Sequence, residues 1–167
     1  NLPYNVGTAL IVDWLAQIAS ATHRPVMGMV VMLQKEVAQR LVATVGDAAY
    51  GRLSVMMAQY CDASILFDVP ASAFVPPPKV TSSILYARVR ETPQEAVTFA
   101  ALERVVAAAF NQRRKMLRQS LKSLGVDPLE LTARAQVEAT VRAQDCDLAA
   151  FARLACALAQ MVDKPSD

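Results

Sequence analysis

Glycine is scarce in this chain: five occur in 167 residues, and no two stand in G-x-G spacing. A phosphate-cradling, glycine-rich turn of the dinucleotide-binding kind is therefore absent from the sequence. Histidine is scarcer still. A lone His23, beside Arg24 and Pro25, supplies neither a histidine-rich metal site nor a Ser-His-Asp arrangement, and reads as a loop residue. No metal is expected. Three cysteines (Cys61, Cys146, Cys156) are odd in number, far apart and not in C-x-x-C spacing, so they are expected as reduced, buried thiols of a cytoplasmic protein. The longest uncharged apolar run, 26–33, is strand length and far below the ~20 residues that span a bilayer. No membrane partner is expected. No leader precedes Asn1-Leu2-Pro3-Tyr4, and the simplest expectation is that an upstream segment is missing.

Apolar side chains are plentiful, at 54%, enough for a sizeable core. Net charge is only +2, yet six basic residues and no acidic one fall between Arg104 and Val126. Such a segment suits a polyanion partner or, equally, a solvated helix face.

Periodicity organises the chain. Residues 8–21 read as a helix with Thr8 as N-cap and Leu10, Ile11, Trp14, Leu15 and Ile18 on one face. The run 26–33 predicts a strand covered on both faces. Residues 34–45 predict a short helix with Val37, Leu41 and Ala38 inward, followed by helical residues 53–60 and a strand over 63–69. Three successive prolines, Pro76 to Pro78, make 70–79 a rigid extended loop. Alternation over 80–89 predicts a half-buried strand. Strand, helix, strand and closing hairpin form the second half of a doubly wound sheet. Beyond Pro93 the pattern is helical: a long helix over 99–124 ended by Gly125, a second over 128–135, and a third over 148–162 stopped before Pro165. On the long helix, Arg104, Lys115, Arg118 and Lys122 cluster opposite the apolar stripe and Arg114 flanks them. Arg113 falls inside the stripe, which predicts a domain-bridging or partly buried arginine.

Three motifs carry chemistry. Asn1-Leu2-Pro3-Tyr4 matches the [DNS]-[IL]-P-[YFW] pattern of methyltransferases acting on planar amino groups. An exocyclic adenine amine is a weak nucleophile because its lone pair is delocalised into the ring. Two acceptors on its hydrogens help the nitrogen become tetrahedral: the Asn1 side-chain oxygen, and the carbonyl of Leu2 or Pro3. Pro3 is expected to hold these carbonyls outward instead of in a helix. Tyr4 offers a ring for an extruded base. In the second motif, 73–80, Phe74 would hold the base's other side, the prolines stiffen the loop, and Lys79 meets phosphate. A rigid connector with Phe74 packed in the core is the plainer reading. The third is the basic stretch 110–121.

In this order the three motifs resemble one family, the KsgA-type small-subunit ribosomal RNA adenine dimethyltransferases. Supporting stretches are Leu33-Gln34-Lys35-Glu36-Val37 with Arg40-Leu41, Tyr50-Gly51-Arg52-Leu53-Ser54-Val55, and Arg142-Ala143. The resemblance runs from Asn1 to about Met161. It implies an α/β fold: the C-terminal half of a Rossmann-like S-adenosylmethionine-dependent methyltransferase domain over 1–91, then a small all-α RNA-binding domain over 92–167. The implied activity is dimethylation of two adjacent adenines in a 3′-terminal hairpin of small-subunit rRNA, by a monomer acting on a pre-assembled ribosomal subunit as part of its biogenesis. Asn1, Leu2, Pro3, Tyr4 and Phe74 carry over to the target-base site, with Asn1 also bordering the cofactor. Lys79, Arg40, Arg114, Lys115, Arg118 and Arg142 carry over to RNA contacts. The family's glycine loop and ribose-binding acid have no match here, so most of the S-adenosylmethionine site is expected upstream, and the fragment is expected to be inactive alone. Rival readings are a large-subunit rRNA adenine methyltransferase of the antibiotic-resistance type, or a non-catalytic nucleic-acid-binding relative.

Overall fold

The computed structural model describes residues 1–4, 6–23 and 26–162. The expectations for Arg24, Pro25 and Pro165 fall outside these residues.

Helix α1 (Gly7–Ser20) enters without a side-chain cap. Thr8 lies inside the first turn, contrary to its expected capping role. The Pro3 carbonyl serves instead, accepting from the amides of Val6 (3.2 Å) and Gly7 (2.9 Å). Two otherwise orphaned helix donors are satisfied by backbone, so no capping hydroxyl is needed. The expected face is the buried one: Ile11 and Leu15 are fully covered, and Trp14 and Ile18 pack against the core.

Strand β1 (Gly28–Gln34) leads directly into α2 (Lys35–Val42), which buries Ala38 and Leu41 as its periodicity predicts. Helix α3 (Arg52–Tyr60) follows, then β2 (Cys61–Val69) and β3 (Ser82–Val89). The order is β1-β3-β2, with β3 antiparallel to both neighbours. The outer strands β1 and β2 therefore run parallel, and both end at the edge where β3 begins. The apolar run at β1 is covered on one face only, which corrects the expectation of two. Val31 and Leu33 are buried, but Val30 is 64% exposed, beside exposed Tyr86 on β3. A strand's side chains alternate between faces, and only one face here meets the helices.

The helical region begins at α4 (Phe99–Asn111), capped by the Thr98 hydroxyl accepting from the Ala101 amide. The expected 26-residue helix is broken. After Asn111 the chain turns through the basic residues, and α5 (Leu117–Ser120) and a 3-10 turn (Leu121–Leu124) follow before Gly125 at φ +80°. The amides of Leu117 and Arg118 leave the helical ladder and donate to the carbonyls of Val141 (2.8 Å) and Ala139 (3.0 Å). This trade keeps Leu117 and Leu121 fully buried while Arg114, Lys115 and Arg118 reach solvent. Helices α6 (Pro128–Arg134) and α7 (Leu148–Val162) complete the region, α6 started by Asp127 accepting from the Leu129 amide.

Buried residues on both sides of Thr92 form one continuous core. Tyr50 meets Phe110 edge-on at 5.9 Å between ring centroids, and Phe110 meets Phe151 at 5.6 Å. The Tyr50 hydroxyl donates to the Cys146 carbonyl (2.9 Å). Gln59, fully buried, uses both ends of its amide on the backbone of Glu95 (2.8 and 3.1 Å) and pins the connector to α3. Of the cysteines, Cys61 and Cys146 are buried, and burial pushes each thiol up to about 11. Cys156 is exposed, contrary to expectation, because it lies off the buried stripe of α7. Among the described residues no helix is long and apolar enough to cross a membrane, and no group of His, Cys, Asp and Glu is arranged to hold a metal.

Candidate active site

The C-terminal edge of parallel strands is where open α/β sheets bind ligands, because loops there leave a crevice. Two sequence motifs meet at that edge. The tetrapeptide 1–4 runs beside β1, with the Leu2 amide 3.5 Å from the Met32 carbonyl. Leu2 also packs against Gly7, where an added Cβ would stand 3.6 Å from Leu2 Cβ and 3.2 Å from Leu33 Cδ2. The loop after β2 leaves at Val69 and returns at Ser82, and these two residues are paired across the sheet. Its far side carries Phe74, whose amide donates to the Ala71 carbonyl (3.2 Å) at the end of a single 3-10 turn (Ala71–Ala73). Loop and tetrapeptide are joined directly: the hydroxyls of Tyr4 and Ser82 share a hydrogen bond of 2.5 Å.

Tyr4 and Phe74 are both half-buried, and neither belongs to the buried core. That excludes the plainer reading of Phe74 as a fully packed core residue. Asn1 and Pro3 are exposed and Leu2 is half-buried. The Pro3 carbonyl does not point outward as expected, since the first turn of α1 consumes it.

Behind the edge stands a polar support that sequence reasoning missed. Asp68 accepts from the Lys35 ammonium (2.6 Å) and from the Ser83 hydroxyl (2.6 Å). The Lys35 hydrogen bond, seconded by Ser83, holds the Asp68 carboxyl below the usual carboxylate range. The Lys35 amide in turn donates to the Thr81 carbonyl (3.0 Å). No local signal marks Ser82 or Asp68, because their partners lie tens of residues away along the chain.

The basic residues divide. Arg114, Lys115 and Arg118 are exposed around the turn after α4, and Arg142 joins them through a backbone bridge to Met116. Arg113 spans the two regions as expected, donating to the Ala48 carbonyl (2.9 Å), but from a turn and not from an apolar stripe. Arg104 is exposed and donates to the Leu124 carbonyl (3.1 Å). Arg40 pairs with Glu36 on α2 and lines a cleft of about 530 Å³ with Arg52 and Arg113. Lys79 is exposed on the proline loop.

The glycines offer no cofactor cradle. Beside Gly46 and Gly125 an added Cβ would meet open space, while Gly7 and Gly28 are approached by the chain's own atoms.

The chain is similar to known proteins along nearly its whole length. A family model described as "Ribosomal RNA adenine dimethylase" matches residues 1–160. Two curated relatives, each named ribosomal RNA small subunit methyltransferase A, come from Azorhizobium caulinodans and Rhodopseudomonas palustris. The first is 52% identical over 157 residues, covering 93% of this chain and 52% of the relative. The second is 50% identical over 163 residues, covering 98% and 56%. A solved dimethyladenosine transferase from Plasmodium falciparum is similar with a TM-score of 0.78 and 26% identity, over 92% of this chain and 63% of that one. The 23S rRNA methyltransferase ErmE shares the fold with a TM-score of 0.58 at 24% identity, over 95% and 63%. The chain spans about half the length of the curated relatives it matches.

Proposed function

This chain belongs to the ribosomal RNA adenine dimethylase family, and from that premise we propose that it carries the target-adenine side of an active site that dimethylates two adjacent adenines of small-subunit rRNA. The observation that supports this most is the convergence of the tetrapeptide and the Phe74 loop, joined by Tyr4 and Ser82, at the C-terminal edge of β1 and β2.

In this reading Tyr4 and Phe74 hold the faces of an adenine extruded from its stack. The Asn1 carboxamide oxygen accepts one hydrogen of the amine. The second acceptor is the Leu2 carbonyl, because the Pro3 carbonyl already receives two amides. Together they draw the nitrogen lone pair out of conjugation. S-adenosylmethionine, the methyl donor of this family, supplies the electrophile. In this reading most of its site lies outside this chain, with Asn1 at its border. The division near Thr92 is functional in the same reading: 1–91 holds the base, and 92–167 holds RNA.

The test uses the complete protein, S-adenosylmethionine with a labelled methyl group, and ribosomal subunits lacking the modification. Label recovered as N6,N6-dimethyladenosine in small-subunit rRNA is the expected result. Label in large-subunit rRNA would overturn the assignment in favour of the antibiotic-resistance type.

Arg114, Lys115, Arg118 and Arg142 are proposed as phosphate contacts, with Lys79 and Arg40 extending the surface. Replacing any of the first four with Ala is expected to lower the slope of log affinity against log salt by about 0.7–0.9 per contact. Arg113→Ala should leave the slope unchanged and cost roughly 1 kcal/mol of stability, because its partner is a backbone carbonyl of the same chain. Binding and thermal melting of the four variants and Arg113→Ala check the split between neighbouring arginines.

A further inference from the structure

We propose that Ser82 is a positioning residue for the target-base site and acts through the phenol of Tyr4, an inference that rests on reading Tyr4 as a wall of that site. Ser82 is fully buried at the first position of β3, the central strand, and is paired with Gln34 on one side and Val69 on the other. Its neighbours are equally held: Thr81 accepts from the Lys35 amide, and the Ser83 hydroxyl donates to Asp68. Ser82 is thus a fixed point at the mouth of the sheet. Tyr4 is different. It is half-buried and reaches that fixed point through its hydroxyl.

Stacking uses the face of a ring, and a phenyl ring offers the same face as a phenol. The hydroxyl is therefore not required for stacking itself. What it adds is a second anchor. A tyrosine tied only at its Cβ keeps freedom about χ1 and χ2, whereas one tied at both ends presents one ring plane. Ser82 also ends the loop that carries Phe74. Holding reacting groups in place before the base arrives lowers the cost of reaching a productive geometry.

The experiment is a double-variant cycle in the complete enzyme on unmodified small subunits. Tyr4→Phe and Ser82→Ala are each expected to lower kcat about three- to tenfold, the size of one hydrogen bond, with KM for the subunit unchanged. The double variant should fall no further than the worse single one, since both remove the same bond. Ser82→Thr, which keeps a hydroxyl, should recover most of the rate. Additive losses, or wild-type kcat in Tyr4→Phe, would overturn the proposal, and the second result does so even if Ser82→Ala fails to fold. Tyr4→Ala separates the two layers of the argument. Its inactivity beside an additive cycle removes the Ser82 role and leaves the base wall standing, while full activity in Tyr4→Ala removes the base wall and the proposal together.

Discussion

Asn1→Ala in the complete protein is expected to slow methyl transfer by about 10²–10³-fold while leaving affinity for the small subunit nearly intact. The size follows from the loss of one preorganised polar group aimed at charge that develops only in the transition state. No nearby group takes over. The Pro3 carbonyl is held by the amides of Val6 and Gly7, which leaves the Leu2 carbonyl as the single backbone acceptor in the proposed arrangement. Binding is spared because affinity for RNA is spread over many phosphate contacts, whereas Asn1 meets one amine. Asn1→Asp keeps an acceptor oxygen and is expected to retain more activity than Asn1→Ala. Single-turnover rates and subunit-binding curves for the two variants check this, and a near-normal rate for Asn1→Ala would remove Asn1 from the chemistry.

The second large effect is on stability. Phe151 is fully buried on α7, and its ring is the inner member of the chain Tyr50–Phe110–Phe151 that links the sheet region to the helices. Phe151→Ala should cost about 3–5 kcal/mol, the lost transfer energy plus a cavity that a rigid aromatic neighbourhood closes poorly. Five residues along the same helix, Cys156 is exposed, and Cys156→Ala should stay within about 0.5 kcal/mol of the parent. Urea unfolding of both variants measures the contrast. A small shift for Phe151→Ala would mean that the aromatic chain contributes little to joining the two regions.

Local pattern made much of this fold legible. Helix α7 spans 148–162 as its apolar period predicts, and the inward residues of α1 and α2 are those expected. Failures fall where tertiary partners outbid local preference. Apolar period alone carries a helix through 112–116, but the amides of Leu117 and Arg118 find better partners at 139–141, and the helix breaks. The run at β1 is apolar enough for a doubly covered strand, yet Val30 is left open because the helices pack on the other face. The candidate site divides in the same way. Tyr4 and Phe74 stand out because their motifs are compact in sequence. Ser82 and Asp68 do not, because a serine opening a strand and an aspartate closing one look ordinary until the fold brings Tyr4 and Lys35 to them.

One spatial arrangement underlies the proposed chemistry: the tetrapeptide and the proline loop hold the target adenine between them. Its most direct test is the structure of the complete protein on an unmodified small subunit with a non-reactive analogue of the methyl donor, determined by electron cryomicroscopy. The predicted result is an adenine extruded from the rRNA with its ring between Tyr4 and Phe74 and its exocyclic nitrogen within hydrogen-bond reach of Asn1 Oδ1 and the Leu2 carbonyl. An adenine seated away from Tyr4, or presented with its amine turned from Asn1, would contradict it.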